Sequence, residues 1–101
     1  IGRRLRGYTI ENYSYFGGRV RLNELPLRVG AWVEAVEDRM TNDNVARRLR
    51  ELGFVAGERV EVVATGPFGA EPLLIQIGFT RFALRRGEAA RVRLRPHEEG
   101  A

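Results

Sequence analysis

The sequence contains no cysteine, no lysine and a single histidine among its 101 residues. The lack of cysteine excludes a disulfide-stabilised scaffold and a thiolate metal site, and it favours a reducing compartment. The histidine, His97, lies close to the end of the sequence, away from any rigid position beside a serine nucleophile. Nucleophilic catalysis by a triad or dyad is therefore not expected. We predict that the protein is not an enzyme.

Long apolar runs are also missing. No segment approaches the roughly 18 apolar residues that a transmembrane helix requires. The N-terminal segment is rich in arginine but lacks the apolar stretch of a secretory signal. We therefore expect neither secretion nor direct insertion into a membrane.

The charge is positive but unevenly distributed. The formal net charge is +4, and all 17 basic residues are arginine. Residues 1–19 hold four arginines and one glutamate, residues 20–95 hold thirteen arginines and ten acidic residues, and residues 96–101 hold two glutamates. Much of the excess thus lies outside the periodic part of the chain. This distribution favours a solvated arginine-rich surface over a nucleic-acid-binding face.

The hydrophobic pattern divides the chain into three parts. Residues 1–19 show no sustained period and loosely resemble a protease-cleavage tag, so we predict a flexible N-terminal extension or tag remnant. Residues 20–95 are predicted to form one folded domain. Pro96 ends the last periodic segment, and residues 96–101 are predicted to be a tail.

One amphipathic helix is predicted from Asp43 to Leu52. Its apolar residues share one helical stripe. They are Val45, Ala46, Leu49 and Leu52. Thr41 or Asn42 is the predicted N-cap, and Gly53 is the predicted left-handed C-terminal residue. Phe54 is expected to fold back onto the stripe.

The rest of the domain is predicted to be strands and turns. The predicted strands cover a short segment around Leu22–Leu27 and residues 31–37, 59–65, 72–77, 81–84 and 91–95, with a tight turn at 86–89. The inward positions are predicted to be Val60, Val62, Ala64, Leu73, Ile75 and Ile77. Short strands at this spacing with one helix predict a mostly β fold, a small SH3-like β-barrel with one flanking α-helix.

The Gly66-Pro67-Phe68-Gly69 segment is the most unusual local sequence. It lacks the spacing and the following helix of a phosphate-binding loop, so we predict a loop between two strands. Together with Gly53 and Gly57, its residues Gly66, Pro67 and Gly69 are predicted to serve turn geometry. Phe68 either covers the open end of the barrel or presents an apolar contact, and we expect it to cover the barrel. Trp32 is likewise expected to be buried.

No metal site or cofactor is predicted. The carboxylates of Glu37, Asp38 and Asp43 are close in sequence, but such residues beside a loop usually cap a helix or face solvent. Borderline metals prefer histidine and cysteine ligands alongside carboxylates. Only His97 with Glu98 and Glu99 could hold a stray cation.

Three segments together resemble a known family. They are Leu-Arg-Glu-Leu-Gly-Phe-Val-Ala-Gly-Glu-Arg-Val-Glu-Val at 49–62, Gly-Pro-Phe-Gly-Ala-Glu-Pro-Leu at 66–73 and Phe-Ala-Leu-Arg-Arg-Gly-Glu-Ala-Ala-Arg-Val-Arg-Leu at 82–94. With Leu22, Leu25, Pro26 and Gly30, they resemble the ferrous-iron transport protein A (FeoA) family over residues 20–95. Ala56 departs from the pattern, in which proline often precedes the glycine.

The resemblance implies a cytoplasmic bacterial accessory protein with an SH3-like barrel. It implies action with the ferrous-iron transporter, a membrane GTPase of the FeoB type, through the transporter's cytoplasmic region. It supplies no catalytic residue and no iron ligand. A similar domain ends the iron-dependent repressors, so a regulator-type domain is an alternative.

The predicted partner-binding surface is an apolar groove with a basic rim, as SH3-like barrels present to peptide segments. The candidate residues are Leu52, Phe54 and Phe68, with Arg48, Arg50 and Arg85 at the rim. A competing interpretation places Leu52 and Phe54 in the core. Two other functions stay open: iron binding by the protein itself, and nucleic-acid binding through a second set of arginines. That set is Arg81, Arg85, Arg86, Arg91, Arg93 and Arg95.

Overall fold

A five-stranded antiparallel sheet and one helix form the domain, as described for residues 20–95 by a computed structural model. The elements are a 3₁₀ turn at Leu22–Glu24, β1 at Gly30–Val36, α1 at Asn44–Leu52, β2 at Arg59–Phe68, β3 at Glu71–Ile77, β4 at Thr80–Leu84, the one-turn helix α2 at Arg86–Ala89 and β5 at Val92–Leu94. The strand order is β4-β3-β2-β1-β5. The predicted mostly β class with one flanking helix is confirmed, although the sheet stays open between β4 and β5. The predictions for residues 1–19 and 96–101, including His97, lie outside the described residues.

The core lies on the inner face of the curved sheet. Strand alternation places one side chain in two toward this face. The predicted inward residues of β3, Leu73, Ile75 and Ile77, are all buried. The helix contributes Ala46 and Leu49. This packing buries the apolar stripe of α1 against the sheet, and burial of that kind stabilises a short helix more than its intrinsic propensity does.

Asp43 is the N-cap of α1, so the prediction of Thr41 or Asn42 is wrong. The Asp43 Oδ1 atom accepts the backbone N–H groups of Val45 at 3.1 Å and Ala46 at 3.2 Å. Asn42 has a φ of 56°, a left-handed turn conformation, whereas an N-cap residue has an extended backbone. Asp43 has that backbone, with a φ of −74° and a ψ of 102°.

The Asp43 carboxylate also joins two distant parts of the chain to the helix. Its Oδ2 atom accepts the Nε–H of Arg91 at 2.7 Å and the backbone N–H of Arg39 at 2.8 Å. The hydrogen bond from Arg91 and those from the backbone hold the pKa of this carboxyl well below its usual range, against the opposing effect of burial. The charged form of Asp43 is therefore part of the folded structure.

The C-terminal end of α1 matches the prediction. Gly53 has a φ of 114°, in the left-handed region, and its N–H donates to the carbonyl of Arg50 at 3.1 Å. The N–H of Phe54 donates to the carbonyl of Leu49 at 3.1 Å. This pattern is the Schellman motif, which turns the residue after the glycine back onto the helix. The Phe54 side chain is accordingly buried.

The first predicted strand is wrong. Leu22–Glu24 forms a 3₁₀ turn in which the N–H of Glu24 donates to the carbonyl of Arg21 at 2.8 Å. The Glu24 carboxylate accepts the N–H of Arg21 at 2.9 Å in return. Local hydrogen bonds thus satisfy this backbone, and Leu22 is still buried.

The predicted loop at residues 66–69 is also wrong in its extent. Strand β2 continues to Phe68, which pairs with Glu71, and the turn consists of Gly69 and Ala70. Their φ angles are 63° and 60°, as a type I′ hairpin turn requires. Bulges shift the β2–β3 register between Val62 and Ala64 and again before Phe68. The first bulge explains why Ala64 is exposed and does not share the inner face with Val60 and Val62.

Gly66 lies where two backbones approach closely, and its replacement should be costly. A Cβ atom at this position would overlap the carbonyl group of Glu71, with the carbonyl carbon only 2.6 Å away. We expect Gly66→Ala to lower the free energy of unfolding by about 1–3 kcal/mol, as overpacking does. Urea unfolding followed by circular dichroism would measure this loss.

Gly87→Ala is the matched control for Gly66→Ala. A Cβ atom at Gly87, within α2, would meet nothing within 4 Å. The free energy of unfolding should stay unchanged or rise by up to about 1 kcal/mol, since alanine favours a helix. Equal effects of the two substitutions would contradict the close approach at Gly66.

Candidate partner-binding surface

Phe68 is the most prominent candidate binding residue. Its side chain is 82% exposed, so the expectation that it covers the barrel end is wrong. The reason is the length of the β2–β3 hairpin, whose last paired residues, Phe68 and Glu71, lie beyond the buried Leu73. The hairpin thus carries the ring past the core.

Trp32 is also exposed, and the prediction of burial is wrong here too. The next residue on β1, Val33, is buried and occupies the inward position. Because successive side chains of a strand face opposite sides, Trp32 must face outward. Its side chain is 41% exposed and its cross-strand partner is Arg59.

The predicted groove residues at the end of α1 are part of the core. Phe54 is 1% exposed, and its ring centroid lies 6.1 Å from that of Phe82. Leu52 is partly buried and packs against the same core. Arg50 donates from one guanidinium nitrogen to the carbonyl of Val36 at 2.7 Å and to Asp38 Oδ1 at 2.8 Å. Arg48 is exposed on the helix.

Arg85 lies at the same end of the sheet as Phe68. It follows Leu84, whose cross-strand partner is Leu73 near the start of β3. The next residue, Arg86, donates its backbone N–H at 2.7 Å to the carboxylate of Glu71, the partner of Phe68. The structure therefore brings Phe68 and Arg85 to one end of the domain. No hydrogen bond, ion pair or ring contact within residues 20–95 joins Phe68 to the predicted residues of α1.

The Arg86 side chain fixes the hairpin against the rest of the domain. Its guanidinium donates to the carbonyl of Asn23 at 2.8 Å and to the carbonyl of Ala70, in the hairpin turn, at 3.5 Å. One side chain thus links the 3₁₀ turn, the β2–β3 turn and α2. The alternative nucleic-acid hypothesis included Arg86, but this role of its side chain could not be predicted, because it depends on contacts distant in sequence.

Four of the six arginines of the nucleic-acid hypothesis have side-chain partners within residues 20–95. Besides Arg86, Arg81 donates to the Gln76 side chain. Arg91 binds Asp43, and Arg93 binds Glu34 at 3.0 Å and also Glu37. Glu37 in turn accepts from Arg21 at 2.6 Å. A guanidinium held by a carboxylate is less available to a phosphate, so this arrangement does not favour nucleic-acid binding.

The carboxylates considered as metal ligands are likewise engaged. Arginine side chains pair with Glu37, Asp38 and Asp43. In the part of the chain that the structure describes, no group of three or more His, Cys, Asp or Glu residues is placed to hold a metal ion. Within the same residues, none of the helices has the length and apolar character to cross a membrane.

The open sheet with its capped helix is that of a small SH3-like domain. The family model of the FeoA domain matches residues 20–96. The crystal structure of Stenotrophomonas maltophilia FeoA complexed with zinc is 63% identical, with a TM-score of 0.70, and the alignment covers 74% of this chain and 88% of that one. The chain belongs to the FeoA domain family, as its sequence predicted.

Two further solved structures are similar to this chain at lower sequence identity. The solution structure of the FeoA protein from Chlorobium tepidum is 28% identical, with a TM-score of 0.66, and the alignment covers 80% of this chain and 75% of that one. A manganese-dependent transcriptional repressor is 17% identical, with a TM-score of 0.64 over 77% of this chain and 41% of that one, and this likeness concerns the fold alone. No curated protein sequence matches the chain significantly.

Proposed function

We propose that this protein is a non-enzymatic cytoplasmic accessory protein of bacterial ferrous iron uptake. It binds the cytoplasmic region of the ferrous-iron transporter, a membrane GTPase of the FeoB type. Membership of the FeoA family implies a role in ferrous iron transport. The S. maltophilia relative is described as a prokaryotic SH3 domain protein and a candidate activating factor of bacterial ferrous iron transport.

The observation that carries this proposal is the exposure of Phe68 at the end of the sheet where Arg85 also lies. A phenylalanine side chain removes a large apolar area from water when a partner covers it, and aromatic residues are common anchors at protein interfaces. Arg85 is exposed at the same end of the sheet and can steer and orient an acidic partner. Phe68 thus supplies binding energy and Arg85 supplies orientation.

The hairpin is suited to this role because it is held in one conformation. Its type I′ turn continues the twist of the flanking strands. The hydrogen bonds from Arg86 to Ala70 and to Glu71 attach both sides of the turn region to α2. A pre-organised loop loses less conformational entropy on binding, so more of the contact energy of Phe68 contributes to affinity.

A pulldown with the full chain as bait tests the proposal. The prey is the transporter in detergent-solubilised membranes. We expect Phe68→Ala to reduce the captured transporter at least about tenfold, as truncation of an interface anchor does. Phe79→Ala, at the fully exposed tip of the next hairpin, is the matched control and should capture as much as the unmodified chain.

Arg48→Glu tests whether the partner binds the α1 part of the predicted groove or the part at Phe68. Because Arg48 is exposed on α1, whose main contacts are with β1 and not with the β2–β3 hairpin, we expect its replacement to leave capture within about twofold. Loss of capture with Arg48→Glu but not with Phe68→Ala would place the partner on the helix instead. Undiminished capture with both variants would exclude both the hairpin and the helix as the partner-binding surface.

A further inference from the structure

Among residues 20–95, the outer edge of β4 has no strand beside it. In the sheet order of these residues, β4 is terminal and pairs with β3 alone. The two-residue turn at Gly78 and Phe79 joins Ile77 to Thr80, and the pair that flanks such a turn is hydrogen-bonded. Since hydrogen-bonded pairs alternate along the ladder, Arg81 and Ala83 direct their backbone N–H and C=O groups away from β3. Within residues 20–95, no backbone or side-chain group pairs with those four groups.

The side chains along this edge differ sharply between the two faces. Arg81, Ala83 and Arg85 are exposed and lie at alternate positions, so they share the outer face. Arg85 keeps an extended backbone, with a φ of −75° and a ψ of 158°. On the inner face, Leu84 is buried and Phe82 is partly buried. An added strand would meet two positive charges on one face and apolar side chains on the other.

We propose that the β4 edge binds an extended acidic segment of a partner protein, which adds antiparallel to the sheet as a sixth strand. Two acidic residues four positions apart face Arg81 and Arg85, and a small residue lies opposite Ala83. The two residues between these positions are apolar and extend the inner face beside Phe82 and Leu84. This inference goes beyond the proposed function, because it specifies the chemistry of the bound segment whichever protein supplies it.

The charge pattern favours this occupant over a second copy of the chain. In an antiparallel pairing of two β4 strands centred on Ala83, Arg81 of each copy would lie opposite Arg85 of the other. The symmetric pairing therefore contains two such arginine pairs. Like charges directly opposite each other destabilise a strand pair. Charged side chains are a common protection of edge strands against self-pairing. The same two arginines attract a strand that carries carboxylates at the matching positions.

In strand addition, the backbone and the charged side chains make different contributions to binding. The outward N–H and C=O groups of Arg81 and Ala83 supply up to four main-chain hydrogen bonds, the usual source of affinity in this mode of recognition. The arginines set the register and the choice of partner. Arg81 already donates to the Gln76 side chain at 2.7 Å on the outer face, which orients its guanidinium over the sheet.

A peptide titration tests this proposal without the transporter. The probe is the blocked, fluorescently labelled peptide Gly-Glu-Val-Ala-Val-Glu-Gly, and the control is Gly-Lys-Val-Ala-Val-Lys-Gly. Anisotropy with the full chain should show saturable binding of the acidic peptide and at least about tenfold weaker binding of the lysine peptide. In an amide NMR spectrum, the shifts should be largest at Arg81 and Ala83. Equal affinities, no binding of the acidic peptide, or shifts confined to other elements would overturn the proposal.

Two variants separate the backbone and the charge contributions. Ala83→Pro removes an outward N–H without removing a bond to β3, a position where an edge strand tolerates proline. We expect it to weaken acidic-peptide binding at least about tenfold, with the circular dichroism spectrum unchanged. Arg81→Glu retains the backbone but leaves one negative and one positive position facing the peptide, so the preference of about tenfold for the acidic peptide should be lost. Undiminished binding of the acidic peptide to Arg81→Glu would contradict the charge pairing, whatever the fold of the proline variant.

Discussion

Phe54→Ala is expected to lower the free energy of unfolding by about 3–5 kcal/mol. The Phe54 ring is enclosed in the core at the end of α1 and packs at 52° to the ring of Phe82. Its removal leaves a cavity. The backbone at Gly53 cannot move in to fill this cavity, because the hydrogen bonds of the Schellman motif fix it. Since small domains have a total stability of about 5–15 kcal/mol, this loss is a large part of it. Urea unfolding monitored by circular dichroism would measure it.

Phe79→Ala is the matched control for this loss. Phe79 has the same side chain but is fully exposed in the β3–β4 turn. Its replacement should change the free energy of unfolding by no more than about 0.5 kcal/mol. A similar loss for both variants, or a loss below about 1 kcal/mol for Phe54→Ala, would contradict the assignment of Phe54 to the core.

Asp43→Ala should have the second large effect, a fall in Tm of about 10 °C or more. The substitution removes the N-cap of α1 and leaves the backbone N–H of Arg39 without its acceptor. It also leaves the Arg91 guanidinium, whose side chain is 12% exposed, without its counter-charge. Removing one partner of a buried ion pair is far more costly than the pair is stabilising, because the remaining charge stays desolvated. Thermal unfolding followed by circular dichroism gives the Tm.

Asp38→Ala is the control for Asp43→Ala, and the pH dependence of Tm is a second test of the Asp43 cap. Asp38 also pairs with an arginine, Arg50, but both side chains are about half exposed, so Tm should fall by only a few degrees. The folded-state pKa of Asp43 is depressed, so its contribution to stability is complete above the unfolded pKa of about 4 and is lost as the pH falls below that value. The Tm difference between the unmodified chain and Asp43→Asn should therefore shrink below about pH 4. A difference that does not change with pH would contradict the ionised cap.

Local sequence predicts the helix and much of the sheet because their signals are local. The stripe that contains Ala46 and Leu49 needs only a helical period, and Gly53 alone provides the left-handed end. The N-cap could not be chosen in the same way, since Thr41, Asn42 and Asp43 are all suitable residue types. The choice depends on Arg91, which lies 48 positions further along the chain. That contact exists only in the folded domain.

The candidate site is harder to predict, because exposure depends on where a strand ends. Hydrophobicity favours burial of Phe68 and Trp32, and both are exposed. Phe68 is exposed because β2 continues, through two bulges, three residues past the predicted end at Thr65 and past the core. Trp32 is exposed because Val33 takes the inward position on β1. Neither the bulges nor the phase of a strand rich in apolar residues can be deduced from alternation alone.

The most direct test is a calorimetric titration of the full chain with the purified cytoplasmic GTPase region of the ferrous-iron transporter. We predict saturable binding, an affinity at least about tenfold lower for Phe68→Ala, and an unchanged affinity for Phe79→Ala. Absence of binding to the unmodified chain, or equal affinities of the unmodified chain and Phe68→Ala, would contradict the assignment of the β2–β3 hairpin as the partner-binding surface.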